Sequence, residues 1–190
     1  MNELAAINLI LDELGTHQVS TKDNAHPDVK TARLHIGLEL ESLLTRGYWF
    51  NTMEEVYVPA QSNGYVILGT NVLEVQTYDA TIRSQYVKRG RYMWNVADNT
   101  RVIAGGLTLN QFIALEFDDL PVNAANAIAN AAASAVVSAK LSDTVKANGL
   151  AAKAIAFEAM LDADELRVTT PNMFQPDRIS VKMARFRRRS

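Results

Sequence analysis

The stretch RGYWFN, residues 46–51, marks the point at which the sequence changes its pattern. Before it, apolar residues recur every three or four positions, which is typical of amphipathic helices. After it, apolar and polar residues alternate in short runs separated by Gly, Pro and Asn, which is typical of strands and turns. We therefore predict that a helical region ends and a β region begins at this stretch.

Two helices are predicted before this stretch. The first covers residues 3–14, and Gly15 is placed to end it. The second covers residues 27–46, begins with a proline suited to a first helical turn, and is ended by Gly47. Its predicted apolar face consists of Val29, Ala32, Ile36, Leu40, Leu43 and Leu44.

A β insertion is predicted over residues 52–117. Short alternating runs are separated by turn residues such as Asn63-Gly64 and Gly105-Gly106. We expect a small, mostly antiparallel sheet built from residues 55–58, 65–68, 72–75, 85–87, 92–94, 101–103 and 107–115.

The helical pattern returns after this insertion. Asp119 is expected to cap a third helix and Pro121 to occupy its first turn. That helix is predicted to continue to Lys146, with Asn148-Gly149 ending it. A fourth helix is predicted over residues 150–166, with apolar positions at Ala151, Ile155, Phe157, Leu161 and Leu166.

The third helix is rich in alanine between residues 124 and 141. A polar stripe runs along one side of it, because Asn126, Asn130, Ser134 and Ser138 are spaced four residues apart. A membrane-spanning helix would not normally carry such a stripe along its whole length. We therefore expect a helix of a water-soluble protein, whose small side chains permit close approach of neighbours.

The formal net charge of −2 hides a strong separation of charge. Residues 178–190 contain six basic residues and no acidic residue, whereas residues 1–177 contain 13 basic and 21 acidic residues. The body therefore carries −8 and the end +6. From residue 167 the sequence mixes prolines with scattered apolar residues, which predicts an extended arm that buries no core alone.

The predicted fold class is α+β. It is a mostly helical bundle with an antiparallel β insertion between the second and third helices and an extended C-terminal arm. The predicted domains are a helical bundle domain of residues 1–51 and 118–166, a β-insertion domain of residues 52–117, and a C-terminal arm of residues 167–190.

The sequence excludes several kinds of chemistry. It contains no cysteine, so disulfides, thiolate zinc sites and thiol nucleophiles are absent. Gly105-Gly106 is not followed by the Lys-Ser or Lys-Thr of a phosphate-binding loop, and no Gly-x-Ser-x-Gly motif occurs. The histidines, His17, His26 and His35, show no metal-ligand spacing. The N-terminus lacks the basic and apolar regions of a signal peptide.

Two carboxylate pairs resemble the acids of glycoside hydrolysis, which needs an acid and a nucleophile or base on either side of the bond. Glu54 and Glu55 lie in a predicted strand, where adjacent side chains point to opposite faces. Asp118 and Asp119 precede a helix, where acids are favoured by the helix dipole. We expect structural roles for all four and predict no catalytic residue, cofactor or metal.

Aromatic residues form two clusters in the sequence. Tyr48, Trp49 and Phe50 are expected to be core residues that close the helical bundle at the junction with the β insertion. Tyr92 and Trp94 flank a predicted hairpin and share one face of it, where they cover the sheet or a subunit contact.

The basic arm has three interpretations: it binds nucleic-acid phosphates, docks onto an acidic protein groove, or is a solvated tail. Apolar residues at positions 179, 181, 183 and 186 favour the protein groove, because a purely electrostatic tail needs none. The residues predicted to bind the partner are Arg178, Lys182, Arg185, Phe186, Arg187, Arg188 and Arg189.

Three short motifs, in order, resemble one known family. They are RGYWFN at 46–51 followed by Glu54-Glu55, the run 86–92 with Tyr-Val, Arg-Gly and Tyr, and Asp-Asp-Leu-Pro at 118–121. Together they resemble the tail tubular protein A family, the head-to-tail adaptors of short-tailed bacteriophages. The resemblance extends from the first to the third helix. The alanine-rich third helix and the C-terminus depart from the family pattern.

This resemblance implies a structural protein of the virion neck and tail, made in the host bacterial cytoplasm. It implies a twelve-fold ring of the chain between the portal protein ring and a tail nozzle protein of the tail tubular protein B type, with the basic arm on the portal. DNA passes through the channel without sequence-specific binding, and no membrane is involved. The small residues of the third helix would then serve tight packing between subunits. A tail-associated polysaccharide-degrading hydrolase, using the carboxylate pairs, is the alternative.

Overall fold

The computed structural model describes residues 1–169 of the chain. The predicted α+β class is confirmed. The described elements, in chain order, are α1 (Glu3–Glu13), α2 (Pro27–Leu44), β1 (Thr52–Val58), β2 (Val72–Thr77), β3 (Tyr86–Arg89), β4 (Tyr92–Asn95), β5 (Leu107–Ile113), α3 (Val122–Leu141) and α4 (Thr144–Thr169). One-turn 3₁₀ helices lie at Ala80–Ile82 and Phe117–Asp119.

The chain divides into two compact units. The helical unit consists of Met1–Thr52 and Phe112–Asp164. Of the described residues, the β unit consists of Met53–Gln111 and residues 165–169.

Helix α3 lies at the centre of the helical unit. It packs against α1 and α2, and Ala147, Leu150 and Leu161 of α4 belong to the same buried apolar cluster. Ten of its 20 residues are buried, and six of those ten are alanines. Small side chains let neighbouring helix axes approach closely, so this helix is the internal support of the bundle.

The polar stripe of α3 also serves contacts within the chain. Asn130 is buried, and its Nδ2 donates a 2.8 Å hydrogen bond to the Asn126 carbonyl. The Ser134 hydroxyl donates to the Ala147 carbonyl of α4 at 2.8 Å. The expectation that this helix packs against other subunits is therefore wrong for its buried positions, because helices of the same chain already cover them.

The break between α3 and α4 lies seven residues earlier than the predicted break at Gly149. Helix α3 ends where Ser142 adopts a left-handed conformation with φ of 53°. Asp143 then caps α4, because its carboxylate accepts the Lys146 N–H at 3.0 Å. This cap stabilises a helix that starts at Thr144, so Gly149 becomes an interior residue of α4.

Two predicted apolar positions of the last helix are exposed. Ile155 is 67% exposed and Leu166 is 45% exposed, whereas Leu161 is fully buried. The buried side of α4 runs through Ala147, Leu150, Ala154 and Leu161, which share one face of the helix by their spacing, and the two exposed residues lie off that face. The described part of this helix reaches Thr169, past the predicted end at Leu166.

The β unit contains a three-stranded sheet of order β1-β5-β2 and a two-stranded sheet of β3 and β4. In the hairpin the strands are antiparallel, with Val87 opposite Trp94 and Arg89 opposite Tyr92. Its core is a separate cluster that includes Val66, Leu68, Met93 and Leu109.

Two predicted strands are absent as extended elements. Residues 65–68 and 101–103 form only single bridges, such as Tyr65 with Val102 and Ile67 with Tyr92. Because turn residues flank both segments, each is only three or four residues long. This is too short for continuous hydrogen-bonded pairing with a strand on either side. The single predicted sheet is therefore two sheets joined by bridged loops.

The new boundary of α4 makes a direct prediction for Gly149. It has no positive φ, and a Cβ built there meets no atom within 4 Å. Gly149→Ala should raise the free energy of unfolding by about 0.4–1 kcal/mol, because alanine restricts the unfolded chain. Urea unfolding followed by circular dichroism measures this change.

Gly47→Ala is the matched control. Gly47 has φ of +71°, and its Cβ would lie 2.5 Å from the Phe112 ring. The free energy of unfolding of this variant should fall by more than about 1 kcal/mol. Destabilisation by Gly149→Ala as well would contradict the helix boundary and restore Gly149 as a helix terminator.

Candidate functional site

The partner-binding residues predicted for the C-terminal arm lie outside the described residues. They are Arg178, Lys182, Arg185, Phe186, Arg187, Arg188 and Arg189. Their role stays a prediction from the sequence.

The aromatic residues at the end of α2 form a packed group. Tyr48 is fully buried in the core of the helical unit, and Trp49 and Phe50 pack against that core. The Tyr48 and Phe50 rings are stacked with centroids 5.6 Å apart. Trp49 meets the Phe50 ring edge-on at 5.1 Å. Such pairs add stability beyond the area they bury, so the geometry fits packing rather than a ligand platform.

Asn51 follows this aromatic group in the sequence and is 1% exposed. Its Nδ2 donates to the carbonyls of Leu44 at 2.8 Å and Ile113 at 3.2 Å. Its Oδ1 accepts the Tyr48 N–H at 2.9 Å, and its backbone carbonyl accepts the Ile113 N–H at 2.9 Å. One buried amide therefore joins the end of α2 to the end of β5. The sequence motif contained this residue, but no local pattern indicated its long-range partners.

Two acids of α4 bind the same region. Arg46 pairs with Glu158 at 2.8 Å, and the Tyr48 hydroxyl donates to Asp162 at 3.3 Å. Burial acts to lower the pKa of Arg46, but the hydrogen bond and charge of Glu158 outweigh it and hold that pKa above its ordinary value. These contacts attach α4 to the end of α2, which is a structural task.

Of the carboxylates that could serve hydrolysis, that of Asp118 has a structural partner. It accepts the Glu3 N–H at 2.7 Å, in the first turn of α1. Asp119 does not cap α3 as predicted; Pro121 occupies that position without a side-chain hydrogen bond. Glu55 has φ of 57°, and its N–H donates to the Asn110 side chain at 3.0 Å.

The histidines show no site chemistry in the described part of the chain. His26 caps α2, because its Nδ1 accepts the Asp28 N–H at 3.2 Å. No group of three or more potential ligands within residues 1–169 could hold a metal ion. Nor does any described helix combine the length and apolar character needed to cross a membrane.

A cleft of about 510 Å³ lies along α2 in the helical unit. Its rim carries Lys22, Lys30 and Arg33, and Leu34 and Gly37 form part of its wall. Glu3 neutralises two of these cations, through Lys22 at 2.7 Å and Arg33 at 3.2 Å. The Glu3 hydrogen bond and charge raise the pKa of Lys22. The cleft is open and offers no convergent reactive groups.

Exposed apolar residues on α2 and α4 provide surfaces for protein contacts. Leu34 and Leu38 of α2 are 61% and 55% exposed. On α4, Val145 is 82% exposed, and Ile155 and Met160 are also exposed. Large exposed apolar side chains on neighbouring turns of a helix are typical of an assembling protein.

Two comparisons with known proteins agree. A family model described as "Tube: Tail tubular protein" matches residues 4–169. The chain is also 29% identical over 189 residues to tail tubular protein A of Klebsiella phage KP34, a match covering 100% of this chain and 96% of that relative.

The hydrogen bonds of Asn51 predict a large cost for its removal. Asn51→Ala leaves one N–H and two carbonyls without their side-chain partner, so unfolding free energy should fall by about 2–4 kcal/mol. Asn123→Ala is the control, because this half-buried asparagine makes one hydrogen bond, to Asp164 at 2.8 Å, and should cost about 1 kcal/mol. Equal losses in denaturant unfolding would show that Asn51 has no special role.

Asp118 and Asp119 are predicted to differ, although they are neighbours. Asp118→Ala removes the acceptor of the Glu3 N–H in the first turn of α1, whose N-cap is Asn2, and should cost about 1 kcal/mol. The Asp119 side chain makes no hydrogen bond within residues 1–169, and Asp119→Ala should cost less than about 0.5 kcal/mol. Thermal unfolding measures both losses. If both variants stay folded but lose cleavage of a host capsular polysaccharide, the structural assignment is wrong and the hydrolase alternative is correct.

Proposed function

Because the chain belongs to the tail tubular protein family and is a structural component of a bacteriophage tail, we propose that it is a ring-forming adaptor between the portal and the tail nozzle. The observation that carries this proposal is the match to a protein named tail tubular protein A, which spans all of this chain and nearly all of that relative. Similarity over the full length favours the same role in assembly.

The proposed adaptor works without catalysis. Its candidate acids serve structure, since Asp118 accepts an N–H in the first turn of α1 and Glu158 and Asp162 bind residues at the end of α2. Its most concentrated set of polar contacts, at Asn51, is buried and joins backbone segments. A structural role requires a stably folded chain, and these contacts stabilise the fold.

Charge supports a channel that DNA traverses without sequence-specific binding. The helical unit contains 14 acidic and 7 basic residues, a net charge of −7. Like charge opposes phosphate binding, so an acidic wall lets DNA slide rather than adhere. In this proposal twelve copies surround the channel.

The proposed partners are a portal ring on one side and a nozzle protein of the tail tubular protein B type on the other. The basic arm, residues 178–190, binds the portal, because arginine pairs well with carboxylates and the interleaved apolar residues suit a groove. The protein is made in the host cytoplasm, acts in the virion neck and tail, and needs no cofactor.

Removal of residues 178–190 tests the portal contact. The truncated chain should keep the unfolding midpoint of the full chain, because the sequence of the arm predicts that it buries no core alone. It should lose binding to the purified portal ring by at least about tenfold. Light scattering of chain and portal mixtures measures the mass bound.

A second variant separates charge from apolar contact. This variant combines Arg185→Gln, Arg187→Gln, Arg188→Gln and Arg189→Gln. It removes four positive charges and keeps the apolar residues of the arm. It should weaken portal binding less than the truncation. Undiminished binding by the truncated chain would place the portal contact elsewhere.

A further inference from the structure

The hairpin of β3 and β4 carries a surface that the preceding contacts do not use. Its outer face contains Val87, Arg89, Tyr92 and Trp94, since opposite residues of an antiparallel pair share a face. The guanidinium of Arg89 lies over the Trp94 ring, 4.4 Å from its centroid. The Arg101 guanidinium lies 5.6 Å from the same ring and 5.2 Å from that of Tyr92. We call these residues, with Arg101, the hairpin face.

Both guanidinium groups retain free hydrogen-bonding capacity. Arg89 and Arg101 are exposed, and neither forms an ion pair with a carboxylate of residues 1–169. Stacking on an aromatic ring fixes the plane of a guanidinium and leaves its N–H groups at the edge available. Two guanidinium groups held in this way can each form paired hydrogen bonds with a carboxylate of a partner.

The hairpin is a local concentration of positive charge. All five basic residues of the stretch 53–111 fall within residues 83–101, beside a single acid, Asp98. The helical unit has the opposite character, with a net charge of −7. Its exposed acids that form no ion pair within the described residues are Asp12, Glu41, Glu116, Asp119 and Asp143.

The hairpin face also has the composition of a protein interface. Tryptophan, tyrosine and arginine are the residues enriched where binding energy concentrates. Apolar side chains surround the stack, with Val87 38% exposed and Val102 54% exposed. The Trp94 Nε1 is buried and has no acceptor among residues 1–169. Phosphate binding alone would not require exposed valines, so a protein partner is favoured over nucleic acid.

We propose that the hairpin face docks onto the acidic helical unit of a second copy of this chain. The inference rests on the proposed ring and deepens it by naming the two surfaces that meet. Because the two surfaces differ, the contact is head-to-tail, and a head-to-tail contact repeated by a closing rotation generates a ring. Opposite charges set the register between copies and speed their encounter.

Zero-length crosslinking tests the pairing of surfaces. Arg101→Lys places an amine on the hairpin face at a position with no neighbouring lysine. This variant is mixed with isotope-labelled copies, assembled on the portal ring and treated with a carbodiimide, which joins amines to touching carboxylates. Mass spectrometry should find residue 101 joined, between copies, to carboxylates of residues 1–52 or 112–164. Links confined to one copy, or to acids of residues 53–111, would overturn the proposal.

Charge reversal tests whether the positive charge of the hairpin face contributes to association between copies. Arg89→Glu should reduce chain-to-chain association at least tenfold and the reduction should shrink as salt rises, whereas Arg89→Lys should retain part of the association. Glu54→Arg is the matched control, because it reverses one exposed charge on β1, outside both proposed surfaces, and should leave association unchanged. Circular dichroism verifies that each variant is folded.

The outcomes separate this inference from the proposed function. If Arg89→Glu copies join the portal in the same number as unmodified chain, the adaptor role stands and the hairpin contact is overturned. If Arg89→Glu lowers affinity for duplex DNA but not for other copies, the hairpin face is a DNA contact and the proposal is wrong. If unmodified chain fails to join the portal at all, the adaptor role itself fails.

Discussion

The buried amide of Asn51 is the contact on which the arrangement of the chain depends. Asn51 and Ile113 are 62 positions apart and are joined by both side-chain and backbone hydrogen bonds. Ordering the ends of so long a segment costs about 3–4 kcal/mol in chain entropy. The hydrogen bonds offset that cost because Asn51 is buried and water cannot compete for them. The β strands can thus be inserted without disturbing the helical core.

Sequence periodicity predicted much of this core. The repeats in α1 and α2 and the stop at Gly47 follow from local rules, and the structure confirms Val29, Ala32 and Ile36 as buried. The role of Asn51 was not predictable in this way, because its partners are distant in sequence. The helix break at Ser142 was missed for a different reason. Gly149 is the stronger local signal, and only the Asp143 cap shows where α4 begins.

The candidate surfaces were less predictable than the fold. Alanine-rich α3 suggested contacts between subunits, yet its small residues allow α1, α2 and α4 to approach it within one chain. Conversely, Ile155 belonged to a predicted apolar face and is exposed. An alanine or isoleucine has the same periodic signature whether its neighbour is an internal helix or another molecule. Only the packed structure distinguishes the two cases.

Because half of α3 is buried inside the helical unit, other surfaces of the chain are left for contacts with other molecules. Of the described surfaces, the exposed turns of α2 and α4 are apolar, while the hairpin face combines aromatic rings with unpaired cations. Apolar area provides affinity without selecting one orientation, whereas paired charges penalise every misaligned register. A ring requires the same orientation at each contact. In the proposed contact, the charged hairpin face and the acidic helical unit provide that selectivity, and the apolar residues alone do not.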